Sequence, residues 1–353
     1  MLSTLAGITA AGYKVRIAAP AEGPLAVALL LHGVEVVPFE SSYPDSTRLS
    51  LSERRGRLAD ILRTQRPALL HANSLAMGRL SGPVAAELSV PSISHLRDIV
   101  TLSAQAVTDL NRHRHLLAVS EAARLYHVAQ GLAENKTRVL YNGVDTNRFR
   151  PTPSTGYLHD ELGLPCGIPL LASIGQISLR KGLDIAAAAL SSLANQKSFA
   201  WLVIGERHSD KDESRQFESQ LHRAARCSLA GRLFFLGNRD DVDRILPELT
   251  LFVHPARQEP LGRVLLEAAA AGRAIVATDV GGTREIFPAE CDAAVLVPPD
   301  DPAGTARALG DLLLNPARRV QSGANARRRI ESHFTIERAT AGLLSHYEQV
   351  LNA

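Results

Sequence analysis

Three cysteines in 353 residues, Cys166, Cys227 and Cys291, are too few and too scattered for a disulfide framework or a zinc site. Aromatic residues are also scarce, 5% of the chain with a single tryptophan. With no recognisable binding motif, that scarcity argues against a nucleic-acid partner. No apolar run is long enough to span a bilayer, and no charged start followed by an apolar stretch and a cleavage site opens the chain. The expected residence is therefore cytoplasmic. No G-x-G-x-x-G follows a strand-like run, which speaks against a dinucleotide-dependent dehydrogenase. A D-x-D pair at a strand-to-helix junction is missing too, and Asp240-Asp241 reads as the start of the helix that follows it.

Charge is nearly balanced, with 39 Lys and Arg against 36 Asp and Glu, a formal net charge of +3. The excess is local: the first 140 residues hold 15 basic and 11 acidic side chains. Arg54, Arg55, Arg57, Arg63 and Arg66 cluster on one predicted helix. The ordinary reading of such a cluster is a solvated helix face. The alternative is a surface that meets an anionic acceptor or rests peripherally on anionic lipid at the inner membrane face.

At 353 residues the chain is too long for one ordinary core and suits two α/β domains. Apolar strand-like runs alternate with helical segments from end to end, the pattern of doubly wound parallel sheets. The first series of strands is predicted at 14–19, 34–39, 68–72, 91–95, 115–120 and 138–141, with a clear helix over 121–130 before Gly131. A polar stretch rich in Pro and Gly, 150–156, breaks the pattern and reads as a linker. A second series follows at 168–174, 201–204, 232–236, 251–254, 274–277 and 294–297, and the tail, 335–351, reads as an amphipathic helix. Ligands of such sheets bind beyond the carboxyl ends of the strands.

Chemistry concentrates in Gln258-Glu259-Pro260-Leu261-Gly262-Arg263-Val264-Leu265-Leu266-Glu267, which runs from a strand through a loop into a helix N-terminus. If 262–267 is helical, the two carboxylates lie at most about 12 Å apart along the axis. They cannot share one proton or one metal ion, so they suit an extended ligand touched at two places. Between them the free backbone N–H groups of Gly262, Arg263 and Val264 form a ready phosphate site. A nucleotide sugar has that shape, with a hexose, a pyrophosphate and a ribose in line. On the residues alone, a loop acid and an exposed helix acid remain an equally open reading.

The segment resembles the E-x7-E signature of GT-B glycosyltransferases of family four, the glycogen-synthase-like retaining enzymes. Further stretches fall in that family's order. They are Ile174-Gly175-Gln176-Ile177-Ser178-Leu179-Arg180-Lys181-Gly182-Leu183-Asp184, then Val203-Ile204-Gly205-Glu206, Leu233-Phe234-Phe235-Leu236-Gly237, and Ala277-Thr278-Asp279-Val280-Gly281-Gly282-Thr283-Arg284-Glu285. Tyr141-Asn142-Gly143-Val144-Asp145-Thr146-Asn147-Arg148-Phe149 is similar to the family's close of the first domain. Several ordered matches are far more specific than any one of them.

The resemblance implies two Rossmann-like doubly wound parallel-sheet domains facing a cleft. Residues 1–150 would bind the acceptor, residues 151–334 the nucleotide-sugar donor, and 335–353 would be a helix packing back on the first domain. It implies a retaining, metal-independent transferase that needs no cofactor beyond its donor and acts on a glycan, lipid or small-molecule acceptor. Lys181 would stabilise the leaving diphosphate, Glu259 would contact hydroxyls of the donor sugar and Glu267 those of the ribose. Gly175, Gln176, Arg180, Gly262, Arg263, Val264, Gly281 and Gly282 would line the donor. His95 stands near the position of the family's histidine beside the transferring sugar, where a neutral imidazole could hydrogen-bond the sugar or take a proton from the acceptor. His71 and Asn73 resemble its His-x-His-Ser, with asparagine at the second histidine. Ser120-Glu121 reads as a helix N-cap.

Two departures stand out. The family usually places an arginine where Gln176 stands, which removes a fixed positive charge, with Arg180 as the candidate substitute. Residues Met1 to Ala6 already read as the helix that follows the family's first strand and glycine-rich turn, so the opening strand is expected to be missing and an apolar sheet edge exposed. These departures keep two other readings open, a catalytically impaired nucleotide-sugar-binding relative and a GT-B sugar-nucleotide epimerase. Segments 41–52 and 97–112 are the expected acceptor-reading loops.

Overall fold

The computed structural model describes residues 2–43 and 47–352. It divides into two compact units, Met1–Gly143 with Ile336–Ala353, and Val144–Thr335. The described residues form twelve strands, each within three residues of its expected position, and every paired strand is parallel.

In the first unit the strands are β1 (Arg16–Ala19), β2 (Glu35–Pro38), β3 (Leu70–Ala72), β4 (Ser92–Leu96), β5 (His115–Ala118) and β6 (Thr137–Val139). They lie in two sheets, β1-β2 and β3-β4-β5-β6. Among the described residues, β1 and β3 each pair on one side only. Strand β4 is buried along its whole length. The helix Ile336–Leu351 presents Leu343, Tyr347 and Val350 at helical spacing, and these share one core with Ile8, Ile93 and Leu117. The tail thus belongs to this unit because its apolar stripe is buried there. Ser120 caps the helix Glu121–Val128, its hydroxyl accepting from Ala123 N at 3.0 Å.

Of the expected acceptor-reading segment 41–52, residues 44–46 lie outside the described residues. Other expectations need correction. Segment 97–112 is not a loop throughout: it holds the helix Ala104–Leu110, capped by the Ser103 hydroxyl. The five arginines do not share a solvated face. On the helix Leu51–Gln65, Arg55 turns inward to pair with Asp109 at 2.8 Å, the carboxylate side chain being 2% exposed. Arg57 lies over the Tyr43 ring, Arg63 pairs with Asp60, and Arg66 ends the helix in a left-handed conformation. Removing Arg55 would strand a buried carboxylate whose other partner is Gln105. Arg55→Ala is therefore expected to lower the unfolding free energy by about 2 kcal/mol in urea titrations, and Arg57→Ala by under about 0.5 kcal/mol. Equal effects would refute the asymmetry.

The second unit carries β7 (Leu170–Ile174), β8 (Ala200–Ile204), β9 (Leu233–Gly237), β10 (Leu251–His254), β11 (Ile275–Thr278) and β12 (Val295–Val297). Their order is β12-β11-β10-β7-β8-β9. The inner strands β7, β8 and β10 are near-continuous apolar runs, as strands covered on both faces must be. Trp201 is fully buried and donates its indole N–H to the Ser173 hydroxyl, which donates in turn to the Val253 carbonyl. The order reverses between β7 and β10, so the loops after them diverge and leave a crevice at their carboxyl ends.

The boundary falls at Gly143/Val144, not at 150/151. Val144 N donates to the Phe334 carbonyl at 2.8 Å, and Arg327 donates to the carbonyls of Thr146, Phe149 and Ala270. Residues 150–156 are not a free linker. The buried Glu248 carboxylate accepts from the Ser154 and Thr155 hydroxyls and from the backbone N–H groups of Thr155 and Gly156.

Candidate functional site

The loops that follow β7, β10 and β11 hold nearly all the donor-site residues read from the sequence. After β7 the chain turns at Gly175, makes a short 3-10 turn over Leu179–Lys181 and enters the helix Leu183–Leu193 through Gly182. Gly182 has φ 62°, and a Cβ there would stand 1.9 Å from the Pro255 carbonyl oxygen. Only glycine lets the β7 loop lie so close to the β10 loop. Arg257 locks the two together, donating to both carboxylate oxygens of Asp184 and to the Leu179 carbonyl.

Lys181 reaches across this contact. Its Nζ lies 2.6 Å from Glu259 Oε2, with side chains 14% and 7% exposed. Its Cε would be 3.6 Å from a Cβ on Gly175, so the ammonium stem passes over that glycine. His254, the last residue of β10, donates Nε2–H to the same Glu259 oxygen at 2.8 Å. Burial keeps His254 below its ordinary value and so neutral. Burial alone would raise the Glu259 carboxyl, but the His254 hydrogen bond and the Lys181 ammonium outweigh it and hold the group ionised, well below the usual carboxylate range. Among the described residues its other oxygen has no hydrogen-bond partner.

The loop after β11 closes on the same residue. Gly282 N donates to the Glu259 carbonyl at 3.0 Å, and Gly281, at φ 52°, would bring a Cβ to 1.9 Å from that oxygen. The hydroxyls of Ser178 and Thr283 are buried without a hydrogen-bond partner among the described residues, two donors bordering the Glu259 loop. Arg180 donates to the Gln258 carbonyl at 3.4 Å, so it faces the β10 loop, and Gln176 is half-buried.

Gly262, at φ 101°, precedes the helix Arg263–Ala270, whose first turn carries Arg263 and Val264. The Arg263 side chain is 75% exposed and stands 3.8 Å from Glu267. Glu267 is 18% exposed, and burial raises its carboxyl above the ordinary value against the pull of the Arg263 and Arg148 charges. The two carboxylates thus differ: Glu259 is held ionised by close partners, and Glu267 is a desolvated acid with the Arg263 guanidinium 3.8 Å away.

In the first unit, His95 is 4% exposed on β4 and His71 sits on the neighbouring β3. His71 Nε2 lies 2.7 Å from His95 Nδ1, and His71 Nδ1 lies 2.7 Å from the Tyr347 hydroxyl. Arg97 donates to the Asn73 carbonyl, the Asn73 side chain and the Asn142 side chain. Sequence reasoning missed His254 and Tyr347. A histidine ending a buried apolar strand five residues before Glu259 was the available signal for the first; Tyr347, at the far end of the chain, gave none.

Residues 168–315 match the family model described as Glycosyl transferases group 1, and residues 1–148 match Glycosyltransferase Family 4. The chain is 30% identical over 304 residues to the phosphatidyl-myo-inositol mannosyltransferase of Mycolicibacterium smegmatis, covering 83% of this chain and 72% of that protein. It is 30% identical over 214 residues to the lipopolysaccharide core biosynthesis mannosyltransferase LpcC of Rhizobium leguminosarum bv. viciae, where the match spans 60% of each protein. Among solved structures, Anabaena Alr3699/HepE in complex with UDP superposes with a TM-score of 0.84 at 22% identity, covering 98% of this chain and 96% of that one. That likeness shows a shared GT-B fold.

Proposed function

We propose, from the premise that this chain belongs to the group 1, family 4 glycosyltransferases, that it moves a sugar from a nucleotide-diphosphate sugar to a hydroxyl acceptor with retention of configuration. The observation that carries the reading is the Lys181–Glu259–His254 cluster, set where the β7 and β10 loops diverge and closed by Gly182 and Gly281. A buried cation that must serve a buried carboxylate at rest suits a ligand bringing both hydroxyls and phosphates.

Transfer requires the bond from the anomeric carbon to the diphosphate to break as negative charge grows on the departing oxygen. Preorganised positive charge is worth most there, in a site from which water is excluded. Lys181 fills that role in this reading, and the leaving group needs no metal ion. Arg180 is turned toward Gln258, so it does not replace the charge missing at Gln176 without moving. The free oxygen of Glu259 accepts from the sugar hydroxyls, and such charge-assisted hydrogen bonds orient the ring. Glu267 accepts from the ribose, while the N–H groups of Gly262, Arg263 and Val264 meet the phosphates. In this reading His95 is the first unit's candidate for a hydrogen bond to the sugar. The acceptor class, a glycan, a lipid or a small molecule, is set by that unit. No helix among the described residues is long and apolar enough to cross a membrane.

The test is binding and hydrolysis of a panel of UDP-, GDP- and ADP-sugars without added metal, with Glu259→Ala alongside. Specific binding of one donor, weakened in the variant and followed by slow release of nucleoside diphosphate, is the expected result. Binding without release would identify a nucleotide-sugar-binding relative. Release of an isomerised nucleotide sugar would identify an epimerase.

A further inference from the structure

The histidine pair of the first unit forms a chain with a definite direction. Each link joins two groups that can either donate or accept, so the direction must be fixed from the ends. At one end is the Tyr347 hydroxyl, 2.7 Å from His71 Nδ1 and 6% exposed as a residue. Among the described residues it has no other hydrogen-bond partner, so its proton is satisfied only if it points at His71 Nδ1. That nitrogen is then an acceptor, and the His71 proton sits on Nε2, directed at His95 Nδ1 at 2.7 Å. At the other end stands Arg97, whose NH2 group lies 3.5 Å from the same His95 Nδ1. A guanidinium only donates, so a proton on Nδ1 would face it head-on. Both ends therefore require His95 Nδ1 to accept.

We propose that Tyr347 and Arg97, with His71 between Tyr347 and His95, fix His95 as the tautomer protonated at Nε2, so that this ring offers a hydrogen-bond donor and not a base. Both imidazoles are neutral. Burial first and the Arg97 charge after it push His71 down to about 3, and burial holds His95 well below its ordinary value. A neutral ring whose Nδ1 is occupied carries its one proton on Nε2. Of the two roles open to His95 from the sequence, hydrogen bonding to an oxygen of the sugar stands, and removal of the acceptor proton falls away. Tyr347 is a positioning residue. It lies in the helix Ile336–Leu351, so the register of the chain's last helix sets which proton a strand residue presents.

What the N–H meets, a donor-sugar oxygen, rests on the transferase reading; the tautomer itself does not. The test is a two-bond 1H–15N correlation spectrum of protein labelled with 15N-histidine, recorded at neutral pH without ligand, with His71→Asn and His95→Asn used for assignment. Expected is a neutral His95 with its proton on Nε2 and a His71 of the same tautomer. A proton on His95 Nδ1, or a charged ring at neutral pH, would overturn the proposal whether or not the protein turns over a sugar donor. In Tyr347→Phe, Arg97 still opposes a proton on His95 Nδ1, so His71 is expected to keep its proton on Nε2 while its Nδ1 resonance shifts as the hydrogen bond from the phenol is lost. An unchanged His71 Nδ1 resonance in that variant would remove Tyr347 from the scheme. If the variant does not fold, the wild-type spectrum still decides.

Discussion

Lys181→Ala is expected to slow release of nucleoside diphosphate by about 10²- to 10³-fold, the loss typical of removing one preorganised group that meets charge developing in a transition state. Binding of the intact donor should fall much less. The diphosphate is already charged in the ground state, and in the proposed reading the backbone N–H groups at the start of the helix Arg263–Ala270 would still hold it. The additional charge on the leaving oxygen exists only as the bond breaks, so the effect belongs in kcat. A structural effect must be separated from the catalytic one. Lys181 is a partner of Glu259, whose side chain is 7% exposed, and its loss leaves a buried carboxylate with the His254 hydrogen bond alone. A fall in the thermal midpoint is therefore expected as well. Lys181→Met, which retains most of the stem passing over Gly175, should match the alanine variant in rate while losing less stability. A methionine variant within threefold of the wild-type rate would sink the assignment of Lys181 to the leaving group.

The parts of this molecule that were legible in its sequence are those encoded by local period. The strands of both units are short apolar runs between helical segments, and their positions follow from that alternation. The loops after β7, β10 and β11 were legible because glycine marks backbone that other residues cannot follow, through a positive φ at Gly175 and through a Cβ clash as well at Gly182 and Gly281. Pairing across long separations was not legible. Arg55 reads as one of five cations on a polar helix, yet its partner Asp109 lies on another helix with a buried carboxylate. Segment 150–156 has a linker's composition, and Glu248, near the end of the helix Val242–Glu248, fastens it. His254 reads as the polar end of a buried strand, and only its Nε2 contact reveals that it holds Glu259. In each case local composition describes how a segment could be solvated, and tertiary contact decides how it is.

Glu267→Gln is expected to move stability and function in opposite directions. Burial raises the Glu267 carboxyl in the folded protein, so the folded state holds its proton more tightly than the unfolded chain does. The stability from that difference is fully present below the unfolded carboxyl value and is lost as pH rises through the folded one. Above the folded value the group is ionised in both states, and the cost of desolvating it is borne in full. Glutamine has nearly the same shape and no charge, so the variant should gain about 0.5–1 kcal/mol at pH 7, with the gain shrinking toward zero in acid, where the wild-type carboxyl is also neutral. Nucleotide binding should change the other way. Two ribose hydroxyls donating to a carboxylate make charge-assisted bonds, and exchanging the acceptor for an amide should weaken affinity for the nucleoside diphosphate by about 10- to 100-fold. Thermal melts across pH and calorimetric titration of the nucleotide check the two halves independently. A variant less stable at pH 7 would contradict the desolvated state of Glu267, and unchanged nucleotide affinity would remove it from the ribose. If both halves hold, the charge at this position is retained at a cost in stability, and the ligand supplies the hydrogen bonds that the folded chain leaves unmade.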